Sequence, residues 1–405
     1  MGSFRLTCFI SFVFIYTVAL HSGLMAQDNA LPKDAGYQFT EEFRLPATPV
    51  KNQYKSSTCW SYSTMAMLES ELLRTGKGEF DLSEAFVVRH TYAGKAKQYV
   101  RFHGNLNFAG GGAFHDVMDV MDDYGMVPEE VYTGLSTTGD PNFVHGEMDE
   151  VFHKYVEGVV ENKNRKLSPA WFPGFEGLLD AYLGTVPEKF NVRGKEFSPK
   201  TYAASLGLRT TDYIEIGSYT HHSFYTQFVI ELPDNWAMGQ VYNLPLDEMI
   251  KVIDAALEQG YTVGWGADIS EKGFSWMNGV AVVPDDDPAD LSGTERERWE
   301  KLTVKEKEAQ LFSFSKPIPE KEITQEMRQK AFDDYSTTDD HGMQIIGRAT
   351  DQMGNQYYIV KNSWGTDQKY KGYLYASVPY VKFKTISIVV NRAGIPGDIR
   401  KKLDL

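Results

Sequence analysis

The chain has 405 residues, 42% of them hydrophobic and 24% charged, with a formal net charge of −14 at pH 7. This composition is typical of a globular protein with apolar material for one large or two medium domains, and it argues against general disorder. The acidic balance argues against nucleic acid as a partner, because binding to a phosphate backbone requires clustered Lys and Arg.

Residues 1–26 have the pattern of a secretory signal peptide. Arg5 precedes the apolar run LTCFISFVFIYTVAL, about 15 residues long, and HSGLMA follows it. A helix that spans a membrane needs ~20 residues, so the run does not predict a retained anchor. Cleavage after Ala26 would leave 40 basic and 55 acidic residues, a net charge of −15. We therefore expect an exported protein, periplasmic or extracellular, that is not held at a membrane after cleavage.

The same cleavage would remove Cys8 and leave Cys59 as the single cysteine of the mature chain. One cysteine cannot form an internal disulfide, so core packing and assembly must supply the stability. A lone thiol is either a reactive group or a small buried residue, and composition alone does not decide between the two.

The first third of the chain is predicted to be helical. A helix should begin at Cys59 with Ser57 or Thr58 as its N-cap. Further helices are predicted in LSEAFVVRH, which opens with a Ser cap, and in AFHDVMDVMDDYG, which stops at Gly125. Residues 27–132 are therefore expected to form a helical subdomain that contains Cys59.

The rest of the chain becomes progressively richer in strands. Residues 133–242 read as a mixed insertion, with helices in GEMDEVFHKYVEGVVENKN and GFEGLLDAYLG and strands in DYIEIGSY and FYTQFVIELP. Residues 243–405 read as a β-rich subdomain interrupted by a charged surface insertion at about Pro284–Gln310. Helices first and strands last, without strict alternation, predict an α+β fold and not a doubly wound sheet.

Cys59 has candidate partners for nucleophilic catalysis, which needs a thiolate, a helix N-terminus and a basic group. His341 opens the segment HGMQIIGRATDQMGNQYYIVKNSWG, in which a hairpin can bring it beside Asn362. The Asn362 amide oxygen would then accept a hydrogen bond from the imidazole N–H and fix the tautomer that faces the thiol. The Gln53 side-chain NH₂ and the backbone N–H of Cys59 could bind an oxyanion.

The remaining histidines carry no comparable signal. Adjacent His221 and His222 would point to opposite faces of a strand, and we find no matching carboxylate or thiolate cluster at metal-ligand spacing. We therefore expect no metal and no cofactor. Ordinary surface or core positions are expected for the others: His90, His103, His115, His145 and His153.

Three motifs occur in the order of a known family: Q-x5-C-W-x-Y at Gln53–Tyr62, HG at His341, and NSWG at Asn362–Gly365. Together they resemble the papain-like cysteine peptidases. The resemblance implies a papain-like fold, with Cys59 as nucleophile, His341 as general base and then acid, Asn362 as orienting residue, Gln53 as oxyanion donor and Trp364 as a ring that shields the Asn–His contact.

A glycine pair also fits the family. GGAF, which begins at Gly111 and Gly112, resembles the segment where a substrate backbone comes close. Cys59 and His341 are 282 positions apart in the sequence, about twice the separation in compact papain-like enzymes. That gap and the ending KGYLYASVPYVKFKTISIVVNRAGIP resemble the bleomycin hydrolase and aminopeptidase C branch, from about Phe39 to Pro396. The branch implies an aminopeptidase for peptide or protein substrates and a homohexamer, usually cytosolic, which differs from the export pattern here.

The branch also implies a C-terminal arm that enters the cleft and offers its terminal carboxylate to the substrate's free amine. Here GDIRKKLDL predicts a helical and basic tail. Endopeptidase or dipeptide-releasing activity is therefore an alternative to aminopeptidase activity. A non-catalytic exported binding protein is also compatible with the sequence, as is an amidase or acyltransferase with the same Cys–His pair.

Overall fold

The structure is a computed structural model that describes residues 1–2, 36–135, 142–164, 166–286 and 293–405. The expected signal segment, residues 1–26, lies outside these ranges except for its first two residues. Within the described ranges, no helix has both the length and the apolar character needed to cross a membrane.

The first part, which we call the helical lobe, packs around one apolar core. Ser83 caps its second helix by accepting a hydrogen bond from the Phe86 N–H at 3.1 Å, as the sequence predicts. The predicted side-chain cap of the first helix is wrong, because the Thr58 hydroxyl bonds to Ser56 Oγ at 2.6 Å instead. The elements of this lobe are α1 (Cys59–Arg74), α2 (Glu84–Arg101), α3 (Phe114–Asp123), α4 (Gly146–Val160), α5 (Trp171–Leu183), β2 (Phe190–Val192), β3 (Lys195–Phe197) and α6 (Pro199–Leu206).

The second part, the sheet lobe, is built on an eleven-stranded sheet. Its strands are β1 (Phe39–Arg44), β4 (Tyr213–Gly217), β5 (Gln227–Val229), β6 (Gln240–Asn243), β7 (Val263–Ala267), β8 (Phe274–Ser275), β9 (Val280–Ala281), β10 (His341–Asp351), β11 (Gln356–Lys361), β12 (Tyr373–Ser377) and β13 (Thr385–Asn391). They lie in the order β5-β6-β4-β13-β7-β10-β11-β12-β9-β8, and β1 pairs with β10.

Helices surround this sheet: α7 (Leu246–Glu258), α8 (Gly293–Lys301), α9 (Val304–Leu311), α10 (Gln325–Asp333), α11 (Val378–Lys384) and α12 (Gly397–Lys402). Helices α8 and α9 occupy the charged stretch expected at the surface, and their described residues are mostly exposed. The predicted helical tail forms α12, which packs near α7 through the buried side chains of Ile399 and Leu403. An ion pair of 2.5 Å between Lys402 and Glu248 holds it there.

The order of the lobes along the chain matches the predicted α+β class. Residues 133–242 contribute to both lobes, because α4, α5 and α6 join the helical core and β4, β5 and β6 extend the large sheet. The connection from β5 to β6 is the one that matters most for the site below.

Candidate active site

A cavity of about 560 Å³ contains most of the predicted site residues. Those that line its wall are Gln53, Cys59, Gly111, Gly112, His341 and Trp364. Asn362 lies directly behind His341. Residues that are distant in the sequence and come from both lobes therefore converge on one space.

Cys59 is the first residue of α1, and its side chain is partly open to the cavity. The partial positive charge of a helix N-terminus favours a thiolate there. Helix α1 rests on β10 at Gly342, where a Cβ would lie 2.7 Å from Ser63 Oγ and 3.3 Å from the Cys59 carbonyl oxygen. The glycine thus lets the start of the helix lie close to His341.

His341 and Asn362 form the predicted hydrogen-bonded pair, because the antiparallel pairing of β10 with β11 brings the two positions together. His341 Nε2 and Asn362 Oδ1 are 2.7 Å apart. The same Asn362 oxygen accepts the Ser363 N–H at 2.7 Å, which identifies it as an acceptor. His341 therefore carries its proton on Nε2, and its Nδ1 lone pair remains available to Cys59.

Aromatic rings cover the His341 imidazole. The Trp364 ring lies 4.6 Å from it, centroid to centroid. Trp276 and Phe274 support Trp364 from 5.3 and 6.1 Å in edge-on contacts. This cover limits the access of water to the hydrogen bond behind the imidazole.

Gln53 is held by a residue that the motif analysis does not single out. Ser363 Oγ donates to Gln53 Oε1 at 2.6 Å, and the Gln53 N–H donates to the Ser363 carbonyl oxygen at 2.8 Å. With Oε1 engaged, the side-chain NH₂ of Gln53 is the end left to serve the cavity. The position of Ser363 inside NSWG is the sequence signal that could have identified it.

Burial favours the neutral forms of both reacting groups. It raises the pKa of the Cys59 thiol to about 12, although hydrogen bonds from the backbone of Gly342 and Trp60 act in the opposite direction. Burial also lowers the pKa of His341 to about 4, opposed by the hydrogen bond to Asn362. The resting pair near neutral pH is therefore a thiol and a neutral imidazole, and charge develops as the sulfur reacts.

The glycine segment forms another part of the cavity wall. The Trp60 indole N–H donates to the Gly110 carbonyl oxygen at 3.0 Å, and a Cβ at Gly112 would lie 2.8 Å from the same ring. A Cβ at Gly111 would collide with the carboxylate of Asp234. Larger residues at these positions would therefore displace neighbouring side chains.

Several carboxylates line the same cavity, and no local sequence pattern marks them because they come from four separate segments: Asp149, Glu215, Asp234, and the adjacent Asp339 and Asp340. Burial, together with the charges of Asp234 and Glu215, raises the pKa of Asp339 to about 7. These acids give one part of the cavity a negative potential.

The expectation for His221 and His222 is wrong in one respect. Their rings do not face apart but converge on Glu231, with Nε2–oxygen distances of 3.2 and 2.7 Å. The three ligand atoms lie within 4.8 Å of one another, as a metal site would require.

The hydrogen bonds around His221 disfavour a metal there. Gln329 Oε1 accepts the Thr220 N–H at 2.6 Å, so its amide nitrogen donates to His221 Nδ1 at 2.9 Å. A neutral His221 then carries its proton on Nε2, the atom that a metal would need. The arrangement fits imidazole–carboxylate hydrogen bonds.

Comparisons with known proteins agree with this geometry. The family model for papain family cysteine proteases matches residues 320–384. Aminopeptidase C of Lactococcus lactis subsp. lactis (strain IL1403) is 23% identical over 394 residues, covering 87% of this chain and 83% of that protein. Bleomycin hydrolase of Rattus norvegicus is 20% identical over 412 residues, covering 88% and 83%. The solved structure of PepW from Lactobacillus rhamnosis HN001 matches the fold with a TM-score of 0.67 at 17% identity, covering 90% of this chain and 84% of that one.

A two-lobed α+β fold with a cysteine at a helix start and a His–Asn pair in the same cleft defines a papain-like cysteine peptidase. The predicted fold class and enzyme class are thus confirmed. Within that class, the chain is similar over most of its length to aminopeptidase C and bleomycin hydrolase.

Proposed function

We propose that this peptidase is an aminopeptidase that uses Cys59, His341 and Asn362 as its catalytic residues and passes through an acyl-enzyme. The observation that carries the proposal is the 2.7 Å hydrogen bond from His341 to Asn362, which leaves Nδ1 free in the cavity that also contains Cys59. The similarity to aminopeptidase C supports action at the N-terminus of a peptide.

The geometry suggests the following sequence of steps. His341 Nδ1 takes the thiol proton as Cys59 Sγ attacks the peptide carbonyl carbon. The Gln53 NH₂ and the Cys59 N–H bind the oxyanion of the tetrahedral intermediate. His341 returns the proton to the leaving amine, and a thioester to Cys59 remains. Water, deprotonated by His341, then hydrolyses the thioester and regenerates the thiol.

Labelling and hydrolysis test the proposal together. We expect an epoxide reagent to alkylate Cys59 stoichiometrically at neutral pH, and the His341→Ala variant to react far more slowly. A fluorogenic peptide amide with a free N-terminus should be hydrolysed faster than its N-acetylated form. Equal rates for the two would contradict aminopeptidase action, and absence of both labelling and hydrolysis would contradict the catalytic assignment.

Endopeptidase or dipeptide-releasing activity is the second candidate, and one observation favours it. Residues 397–405 pack beside α7, and none of them lines the cavity. These residues therefore do not form the carboxylate arm that the resemblance implies. Cleavage within an N-acetylated peptide would support this candidate.

Export and assembly are also part of the proposal. Export is based on the signal-like pattern of residues 1–26, and a homo-oligomer is based on the resemblance to the branch. N-terminal sequencing of protein recovered from the periplasm or medium tests the first. Sedimentation of the purified enzyme tests the second.

A further inference from the structure

The connection between β5 and β6, which we call the crossing loop (Ile230–Gly239), leaves the sheet lobe and reaches the helical lobe. Its buried Asn235 fixes the loop internally, because its side-chain NH₂ donates to the carbonyl oxygens of Ile230 and Gly239 at 2.9 Å each. The Asn235 Oδ1 accepts the Gly239 N–H at 2.8 Å. The loop is thus held in one conformation by its own internal hydrogen bonds.

Two contacts attach the far side of the crossing loop to the helical lobe. The Trp236 indole N–H donates to Asp116 Oδ2 at 3.0 Å, and the ring packs so closely on α2 that a Cβ at Gly94 would lie 2.8 Å from it. Asn107 Nδ2 donates to Asp234 Oδ1 at 2.7 Å. The crossing loop therefore bridges the cleft.

The bridge lies at one particular end of the catalytic cavity. His341 must protonate the leaving amine, so the leaving part of the substrate lies on the side of His341 and Trp364. The residues before the scissile bond then extend along the opposite wall, past Gly111. Asp234 sits directly against Gly111, and Leu232 also lines the cavity. The crossing loop thus closes the end of the cavity that would hold the substrate residues before the scissile bond.

The group presented at that closed end is a carboxylate with an available oxygen. Asn107 engages Asp234 Oδ1, and no described residue donates a hydrogen bond to Asp234 Oδ2. Nearby Lys95 is directed elsewhere, since its ammonium donates to the carbonyl oxygens of Ala109 and Gly111. A cationic group of the substrate is the natural partner for the free oxygen.

The other cavity acids divide into paired and unpaired groups. Glu215 is paired with His115, 3.0 Å from Nδ1 to Oε2, and Asp149 accepts a hydrogen bond from the Tyr92 hydroxyl. Asp339 accepts no hydrogen bond from the described part of the chain. In its ionised form, which is present above its raised pKa of about 7, its charge adds to that of Asp234 in the same cavity.

We propose that Asp234, presented by the crossing loop, accepts the free α-ammonium of the substrate, and that the loop stops longer chains from extending past it. The inference rests on the proposed peptidase function and identifies the source of its N-terminal specificity. Asp339 supports Asp234 through the negative potential that both create.

The test compares Asp234→Asn with the native enzyme on matched fluorogenic amides that carry a free, an acetylated or a desamino N-terminus. The native enzyme should prefer the free amine. In Asp234→Asn the isosteric amide keeps the acceptor for Asn107 but loses the charge. We expect kcat/KM for the free amine to fall about 10- to 100-fold, as for loss of a hydrogen bond between charged groups, with little change for the other two substrates.

The matched control is Glu231→Gln, which removes the same charge from the same loop but outside the cavity, and it should keep the native preference. Hydrolysis of all three substrates at equal rates by the native enzyme would contradict aminopeptidase action and the inference with it, but would leave Cys59 as the nucleophile of a peptidase. So would an unchanged preference in Asp234→Asn, or an effect confined to substrates with Lys or Arg side chains. Absence of hydrolysis and of Cys59 labelling would instead contradict the proposed function.

Discussion

At the scale of single residues, hydrogen bonds from neighbouring side chains orient the general base and the oxyanion donor. Asn362 Oδ1 selects the His341 tautomer, and Ser363 Oγ occupies Gln53 Oε1 so that the NH₂ end is free. Both partners of these contacts are buried, so few water molecules compete for the hydrogen bonds. The adjacent residues Asn362 and Ser363 therefore organise the base and the oxyanion donor together.

The first prediction concerns Ser363→Ala. Removal of the hydroxyl frees the Gln53 amide to rotate, which weakens oxyanion binding without touching the thiol or the imidazole. Loss of a whole oxyanion donor costs roughly 10²–10³ in kcat, so we expect a fall of about tenfold or more, with KM little changed.

Steady-state kinetics and epoxide labelling of Cys59 check this result. Labelling should keep its native rate, because alkylation forms no oxyanion, and the exposed Ser313→Ala should behave as the native enzyme. An unchanged kcat, or a parallel loss of labelling, would contradict the role assigned to Ser363.

Whether a site residue can be predicted from sequence depends on whether it lies within a short local motif. Cys59, His341 and Asn362 can be identified from sequence because each stands at a helix or strand boundary inside a short motif. Asp234 and Asp339 cannot, because only the folded connection of β5 to β6 brings the first of them to the glycine segment. The convergence of His221 and His222 on Glu231 is missed because they lie in a turn after β4 and not on a strand.

At the scale of elements, the contact of α1 with β10 sets the distance between nucleophile and base. Gln344 anchors the contact from below, since its NH₂ donates to the Ala66 carbonyl oxygen at 3.1 Å and to Ser70 Oγ at 2.8 Å. Gly342 lies two residues before Gln344 on β10, nearer the cavity, and has no side chain that would keep α1 away. The HG motif therefore supplies the general base, His341, and next to it the glycine that lets α1 pack closely on β10.

The second prediction is that Gly342→Ala separates the two elements. The new Cβ would lie 2.7 Å from Ser63 Oγ, so the start of α1 must shift. A displacement of about 1 Å can cost ~10²-fold in rate, and we expect kcat/KM to fall at least about tenfold. Peptide hydrolysis measures the fall, and thermal unfolding shows whether the fold is retained.

The double variant Gly342→Ala with Ser63→Ala separates sterics from other effects. It removes the Oγ that the new Cβ meets first, so part of the activity should return. Native activity in the single variant, or no recovery in the double variant, would show that this contact does not set the geometry.

Helices and central strands are predictable from their apolar periodicity, as β10, β11 and α7 illustrate. Short elements are not: β1 falls within residues 27–132, which are expected to be helical, and its pairing with β10 depends on a partner about 300 residues away. Strand β5 lies inside the predicted strand FYTQFVIELP, but it has only three residues, and its four-residue partner β6 lacks the length for a clear pattern. That limit hides the crossing loop from sequence analysis.

At the scale of the whole molecule, burial of titratable groups couples stability to pH. Burial raises the pKa of several carboxyl groups, among them Glu129 to about 8, Glu320 to about 7 and Asp339 to about 7. Burial lowers the pKa of three imidazoles: His90 to about 3, His145 to about 4 and His341 to about 4. The two sets act in opposite directions on the free energy of unfolding.

The sign of each contribution follows from proton binding. The carboxyl groups stabilise the fold fully below their unfolded pKa of about 4, and this stabilisation is lost as pH rises through about 7 to 8. The imidazoles stabilise it above about 6.5, and this is lost as pH falls through about 4. Above about pH 6.5 these three imidazoles no longer change, whereas the carboxyl groups still lose their contribution, so stability should fall from about pH 6 to about pH 8.5. His115 adds to this fall, because burial is outweighed by its hydrogen bond to Glu215, which raises its pKa to about 9.

The third prediction tests this with Glu129, whose Oε2 is buried without a hydrogen-bond partner in the described part of the chain. Thermal or urea unfolding should give lower stability at pH 8.5 than at pH 6, and Glu129→Gln should reduce that difference. One pKa unit corresponds to about 1.4 kcal/mol, so the variant should gain at least about 1 kcal/mol at pH 8.5. The exposed neighbour in Glu130→Gln undergoes the same charge change and should leave the pH dependence as it is. An equal response in the two variants would mean that net charge, and not burial of Glu129, controls the alkaline loss of stability.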